Sequence, residues 1–489
     1  MARTGVEVTT ALSAGRRNNG VPSARYHITG VTARGPVGVA QRVTSIAEFR
    51  SFFGGRSSKS EKMYNEARSF FAEGGAELYV TRVVGPAATK GFVALNDSGG
   101  ATSPTIRVTL NEPGDYSAQT AVDIDDGGNG TFNFSIYQEG LLKIRLVGLT
   151  SPADLLARTL GNPIITVTDL GSAALAPGNN PAPTASPVPM SEGTDDYVNI
   201  ATAHYVTAMN AVGDTTRGGA VGVPDLPADI IGDDLLDHAE EYQKVALMAG
   251  DLDTTEEEIK AMAGLFATHT GASYGAIFWP YVVLPDEANG GSRYVSPTGY
   301  AAAARARAHT NTGYWQIPAG ERSAALAVTG LYTPVDTRRN NSLGESYVSG
   351  VIQDAGTIKV YNWWSLSPDR ENFQYLSVRD ELNNIAMDLA SEFRQFIFST
   401  WDTRGKLLNQ ISSAAKGILA TLAERDAVSA RFSPTTGEQT DSGYVINVDA
   451  PTGLGAEQNV ILVRVEVRTP QTAQLIQAEV VRVPLDTVL

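Results

Sequence analysis

Residues 24–84 read ARYHITGVTARGPVGVAQRVTSIAEFRSFFGGRSSKSEKMYNEARSFFAEGGAELYVTRVV, and the order of patterns inside this stretch decides the fold. Tyr26, Ile28 and Val31 stand among polar neighbours until Arg34-Gly35-Pro36 breaks the run, which is the pattern of a strand and a turn. Ser45 and Glu48 then have the spacing of a capping box, in which a hydroxyl and a carboxylate take up the unpaired amide donors of a helix start. Phe49, Phe52 and Phe53 follow as the inward side of that helix, and Gly54-Gly55 stops it. A second helix from about Ser60 carries Met63, Ala67, Phe70 and Phe71 on one side and ends at Gly74-Gly75, where glycine tolerates the left-handed C-cap. A strand over residues 78–84 closes the series. Strand, helix, helix, strand predicts an α/β layer.

Outward from there the character changes. Residues 87–196 lose helical periods and gain Gly, Asn, Asp and Thr between short alternating runs such as 106–110 and 131–137, which predicts a separate β-rich domain. Its exit, residues 176–189, is Pro-rich and predicts an extended linker or long surface loop. The α/β pattern resumes near Tyr197: a helix over 237–248, another opening with the acidic residues from Asp253, and a buried strand over 275–284. The α/β core is thus expected to be discontinuous in sequence. In the C-terminal third, Val378, Leu382, Ile385, Leu389, Phe393 and Phe396 predict an amphipathic helix, and Leu408, Ile411, Ala415, Ile418 and Leu422 a second beside it. Two strands follow, 460–468 and 475–483. With the short extended piece at 5–9, each end of the chain carries a strand without a hairpin partner in view, a placement that invites pairing with a sheet edge elsewhere.

Composition narrows the function. The 489 residues include 38 Lys plus Arg, 53 Asp plus Glu and no Cys, for a net charge of −15. Lack of Cys excludes disulfides, a thiol nucleophile, iron–sulfur clusters and Cys-based zinc sites. The acidic balance disfavours phosphate-backbone binding, so nucleic acid is not expected as a partner. No secretory h-region opens the sequence and no run of about 18 apolar residues would span a membrane, so a soluble chain is expected.

The motifs of chemistry are weak. Gly271-Ala-Ser273-Tyr-Gly275 matches G-x-S-x-G, yet a nucleophile elbow needs a strand before the serine and here the strand comes after it. Residues 251–256 lack the Gly and Glu that complete a calcium loop and read better as a helix start. Residues 125–130, DDGGNG, carry hairpin-turn chemistry. His27, His204, His238, His269 and His309 have no metal-ligand spacing, and Trp315, Trp363 and Trp364 read as core. No enzyme activity and no cofactor is expected. Two other readings carry distinct tests: a hydrolase using Ser273, and a virion receptor- or carbohydrate-binding protein using the β-rich segment.

A further set of residues runs through most of the chain, beginning with Gly30, Arg34-Gly35-Pro36, Thr44-Ser45, Phe49, Phe53-Gly54, Phe70-Phe71, Gly74-Gly75, Tyr79-Val80 and Arg82-Val83. It continues through Pro113-Gly114, Ser296 to Gly299, Gly313 to Gly320, Gly356 to Leu366 and Tyr375 to Arg379. The set resembles one family, the tail sheath proteins of contractile bacteriophage tails, pyocins and type VI secretion systems, with Trp364 where the family usually has Arg. The resemblance implies a multi-domain fold, α/β and α+β. Its parts would be an N-terminal arm (1–23), a discontinuous α/β middle domain (24–86 and 197–320), an inserted β-rich outer domain (87–196), a C-terminal sheath domain (321–470) and a C-terminal arm (471–489). It implies a structural subunit that polymerises as stacked hexameric rings around a tail tube and contracts to drive the tube through the host envelope during genome delivery. The arms would exchange strands between subunits through Val6, Glu7, Val8, Ile476, Ala478, Val480, Val481 and Val483. The acceptor strand would present Ile461, Val463, Val465 and Val467, and Lys406 and Lys416 would face the tube. Partners would be copies of itself, the tail tube, baseplate and terminator proteins, with no membrane insertion. Its place would be the virion tail, assembled in the bacterial cytoplasm.

Overall fold

The structure, a computed structural model, describes residues 22–100, 103–286, 290–400, 405–449 and 461–470. Two compact units divide it, Met1–Asp380 and Glu381–Leu489.

The first unit begins with β1 (Tyr26–Gly30), β2 (Ala40–Val43), α1 (Ile46–Phe53), α2 (Glu61–Ala72) and β3 (Leu78–Arg82). The Ser45 hydroxyl caps α1 by accepting the Glu48 N–H at 3.1 Å. Glu48 reaches one residue further back than a capping box requires, accepting the Thr44 N–H and hydroxyl at 2.7 Å each. Next come β4 (Phe92–Asn96), β5 (Pro104–Leu110), β6 (Thr120–Gly128), β7 (Thr131–Gln138), β8 (Leu141–Leu149), α3 (Pro152–Thr159), β9 (Ile165–Asp169) and β10 (Val188–Pro189). They form two antiparallel sheets, ordered β10-β6-β7-β8 and β4-β5-β9, over a core of their own that includes Ile106, Val108, Ile124, Phe134 and Leu155. The Pro-rich exit is not a free linker: Ala182 and Thr184 donate their N–H groups to Asn96 and Ile124, both at 2.9 Å, and the last of the stretch is β10. Proline leaves alternate amides available, and those amides find strand carbonyls.

The chain returns through α4 (Thr202–Ala211), β11 (Ala220–Gly222), α5 (Ala228–Glu241), β12 (Val245–Ala249), α6 (Glu256–Phe266) and β13 (Gly275–Trp279). It continues with β14 (Val282–Asp286), β15 (Gly291–Val295), α7 (Pro297–Asn311), β16 (Gly330–Leu331), α8 (Thr337–Glu345), β17 (Val348–Asp354) and β18 (Thr357–Val360). One eight-stranded sheet, β18-β17-β13-β12-β11-β1-β3-β2, gathers strands from both sides of the 87–196 segment. Its six central strands are parallel and its two edges antiparallel. Alternate side chains of β12 and β13 enter two cores. Leu247 and Phe278 join Phe49, Phe70 and Tyr300, while Met248 and Ile277 join Ile231, Leu235 and Ile259. A parallel sheet covered on both faces explains the unbroken apolar runs of β12 and β13.

Three expectations change here. The helix expected over 237–248 is the end of α5, then Gln243 at φ 54°, then β12. An apolar run as short as Val245–Ala249 has no period that separates helix from buried strand. The strand expected over 275–284 divides at the Trp279-Pro280 bond into β13 and β14, which belong to different sheets. The division expected at 320/321 falls inside the α/β unit, because β17 pairs in parallel with β13 and brings the chain to Val360 into the same sheet.

Crossing the division at Asp380, α9 (Leu376–Phe393) stops short of the expected Phe396, which lies in a 3₁₀ turn. The second unit adds α10 (Lys406–Glu424), β19 (Arg431–Phe432), β20 (Gln439–Asp441), β21 (Tyr444–Asp449) and β22 (Leu462–Val467). Left-handed Asp426 ends α10 in a Schellman motif: its N–H reaches Ala423 O at 3.2 Å and the Ala427 N–H reaches Leu422 O at 2.9 Å.

Candidate assembly surface

The expected acceptor strand 460–468 is β22 over Leu462–Val467, with Ile461 just before it. It pairs antiparallel with β21, a strand the sequence reading missed, from Tyr444↔Val467 through Ile446↔Val465 to Asp449↔Leu462 without a register shift. Tyr444, Ile446, Val448, Val463, Val465 and Val467 share the half-buried face, while Val445, Asn447, Asp449, Leu462, Arg464 and Glu466 are exposed. Helix α10 packs against β21. Its buried stripe is Leu407, Ile411, Ala415, Leu419 and Leu422, with the expected Leu408 and Ile418 only half-buried beside it. Arg468 pins the end of β22: its N–H donates to Gly443 O at 2.8 Å, and its guanidinium forks onto Asp441 at 2.8 and 3.1 Å. Among the described residues no strand pairs with the outer edge of β21 or of β22. Two strands alone are marginal in water, and an unpaired edge presents a row of N–H and C=O groups that template further pairing.

Lys406 and Lys416 are exposed on α10, on the side away from the buried stripe. Val6, Glu7, Val8, Ile476, Ala478, Val480, Val481 and Val483 lie outside the described residues. The described chain begins at a buried anchor: Ser23 O accepts the Arg305 guanidinium at 2.6 Å, and Arg305 pairs with Asp380, both at most 2% exposed. Burial raises the Asp380 carboxyl and Arg305 opposes that rise.

A second joint roots residues 87–196 in the α/β sheet. Arg82, at the end of β3, donates to Gly35 O at 2.9 Å and Pro113 O at 3.0 Å and pairs with buried Asp195. Burial lifts the Asp195 carboxyl to about 6, with Arg82 pulling it down and neighbouring Asp115 adding to the rise. Arg34–Glu139 at 2.9 Å and Lys59–Asp115 at 2.5 Å bridge the same seam. Both Arg34 and Arg82 were legible only as conspicuous positions, because their partners are distant in sequence.

Ser273 lies in a 3₁₀ turn before β13 and accepts the Arg379 guanidinium at 2.8 Å. A cation in that position cannot take a proton from the hydroxyl, so the geometry is not that of an activated nucleophile. Trp363 is fully buried against Phe278 at 5.0 Å between ring centres. Trp364 stacks on Tyr375 at 5.1 Å with Arg370 over its ring. Among the described residues no helix is long and apolar enough to cross a membrane.

The fold that these elements build is similar to that of contractile tail sheath proteins. The chain is similar to a sheath tail protein from Desulfitobacterium hafniense, with 13% identity and a TM-score of 0.58 over 96% of this chain and 100% of that one. A sheath tail protein from Listeria innocua gives 11% identity and a TM-score of 0.64 over 91% of each chain. The helical sheath of the anti-feeding prophage in its contracted state gives 11% identity and a TM-score of 0.54 over 97% and 99%. No protein-family model and no curated sequence matches the chain.

Proposed function

We propose that this chain is the structural subunit of a contractile tail sheath, a polymer of stacked hexameric rings around a tail tube. On this reading it contracts to drive the tube through a host envelope during genome delivery, and it acts without catalysis or cofactor. The observation that carries the reading is likeness to sheath structures along nearly the whole chain, including one in a contracted polymer. Residues 5–9 and 475–483 act as exchanged arms, with Val6, Glu7 and Val8 at one end and Ile476, Ala478, Val480, Val481 and Val483 at the other. A β-strand added to an open edge gains main-chain hydrogen bonds that survive subunit rotation when the flanking segments flex. The outer edges of β21 and β22, with Val463, Val465 and Val467 on the ladder's packed face, are the acceptor. The exposed side of α10, with Lys406 and Lys416, faces an acidic tube surface, and residues 87–196 form the outer domain. Baseplate and terminator proteins cap the polymer, which assembles in the bacterial cytoplasm.

Negative-stain electron microscopy of the full chain at high concentration, beside a chain truncated after Pro470, tests this. Tubes or rings from the full chain and monomers from the truncation are expected. Equal polymers from both would sink the exchanged C-terminal arm, and monomers from both, even with a tail tube supplied, would sink the sheath reading.

A further inference from the structure

In the large sheet, the chain leaves β1 toward β3 on one side and leaves β11 toward β12 on the other. Adjacent strands whose connections diverge leave a crevice at their carboxyl ends, where α/β proteins hold ligands. Beside this point, against Pro224, Asp225 and Leu226 that follow β11, lies an open cleft of about 700 Å³, in the size range of small-molecule sites. We propose that this cleft binds a guanidinium or ammonium group.

Among the described residues, two hydrogen-bond acceptors that line the cleft lack a cation partner. Asn65 on α2 lines the cleft, is 8% exposed, and its Oδ1 is buried with no donor. Asp225, just past β11, accepts the Val31 N–H at 2.6 Å and the Tyr205 hydroxyl at 3.3 Å. Among the described residues its carboxylate has no ion pair. The nearby ammonium of Lys62 donates instead to the Asp225 backbone carbonyl at 3.0 Å and to Asp251 at 3.2 Å. Glycine at position 30 makes this arrangement possible, because a Cβ there would stand 2.6 Å from Asp225 Oδ2. Burial raises the Asp225 carboxyl, and a cation beside it would favour the charged form.

An unmatched amide oxygen and a carboxylate without an ion pair, both lining one cleft, call for a ligand that only donates, which describes arginine- and lysine-type head groups. Tyr197, Tyr205, Tyr281 and Tyr294 line the same cleft, and aromatic side chains suit a cation and its alkyl stem. An anion is disfavoured, since the two lysines of the cleft, Lys59 and Lys62, already pair with Asp115 and Asp251. The site does not depend on polymerisation, so a chain that never forms tubes would still bind.

The test is calorimetric titration of the full chain with N-acetyl-arginine amide, spermidine and, as an uncharged isostere, N-acetyl-citrulline amide. Saturable one-to-one binding of the two cations is expected, with citrulline weaker by about tenfold or more, the usual scale for a charge-assisted hydrogen bond. Asp225→Asn should weaken both cations by about the same factor. Tyr294→Ala, at a position 52% exposed, should weaken them about threefold or more. Absence of saturable binding by either cation, equal binding of citrulline, or two variants that bind like the parent would overturn the proposal. Sedimentation velocity identifies the source: assemblies dissolved by saturating N-acetyl-arginine amide indicate a side chain from a second copy, and unaffected assemblies a free amine. Either result retains the site.

Discussion

Lys244 offers a quantitative test of the α/β unit. It precedes β12, is 1% exposed, and donates to Thr216 Oγ1 at 2.9 Å and to His238 Nε2 at 3.0 Å. With Nε2 accepting, the His238 ring carries its proton on Nδ1 and donates to Asn210 Oδ1 at 2.7 Å. Burial drives the Lys244 amine down to about 7, with Arg217 adding to the fall, and burial with Lys244 drives His238 down to about 2. The folded value of Lys244 therefore lies below the 10.5 of a free lysine. Between about pH 7 and pH 10.5 the unfolded chain holds a proton that the folded chain has shed, so the contribution to stability grows as pH rises through this window. It is smallest below about pH 7, where both states are charged and the folded state holds a buried cation.

The slope is about 1.4 kcal/mol per pH unit, so roughly 2.5 kcal/mol should separate about pH 7.5 from about pH 9.5. Lys244→Met removes that dependence, and His238 does not confound it, since His238 titrates far below the window. Urea unfolding followed by tryptophan fluorescence suits the measurement, because four of the five tryptophans, Trp279, Trp315, Trp363 and Trp364, lie in the unit Met1–Asp380. The parent should gain about 2.5 kcal/mol on the Met variant between those two pH values. Parallel pH profiles would refute the reasoning, because they would mean that Lys244 keeps an ordinary pKa and that its burial costs the fold nothing.

Removing Arg82 as Arg82→Met leaves Asp195 buried without its cation and should cost about 3–5 kcal/mol in the same urea assay. Ser45→Ala removes one cap at the start of α1 and should cost about 1 kcal/mol, read as a small midpoint shift with an unchanged slope. Ser273→Ala should leave any ester turnover of the purified chain at its background level; loss of a measurable turnover would revive the hydrolase reading.

Legibility in the sequence followed the range of the forces involved. Helices α1 and α2 could be read because caps, glycine stops and an apolar face are local signals. Strand β12 could not, since Val245–Ala249 is apolar on both sides and its identity depends on β11 and β13 beside it. The extension of the large sheet to Val360 and the pairing of β21 with β22 are likewise long-range facts. Of the candidate site, β22 and the lysines of α10 could be read from periodicity. The seam between Arg82 and Asp195 and the cleft between Asn65 and Asp225 join residues more than a hundred positions apart, and no motif spacing announces either.

The sheet edges separate the two units in a way that bears on assembly. In the large sheet both edge strands, β2 and β18, are short and antiparallel to their neighbours. Strand β8 of the β-rich segment is long and has an open edge among the described residues, yet it carries exposed Lys143 and Arg145 and a register broken against β7. Short length, charge and bulges are the devices by which proteins discourage strand addition. The β21–β22 ladder also exposes Asp449, Arg464 and Glu466 on its outer face, but it pairs in unbroken register over six residues and has its inner face already covered by α10. A further strand there would extend a regular ladder without first having to find a hydrophobic backing. Under the proposed function, the α/β unit and its β-rich excursion are thus built to stay as they are. The small ladder is the place where a neighbour's arm would add the most and distort the least.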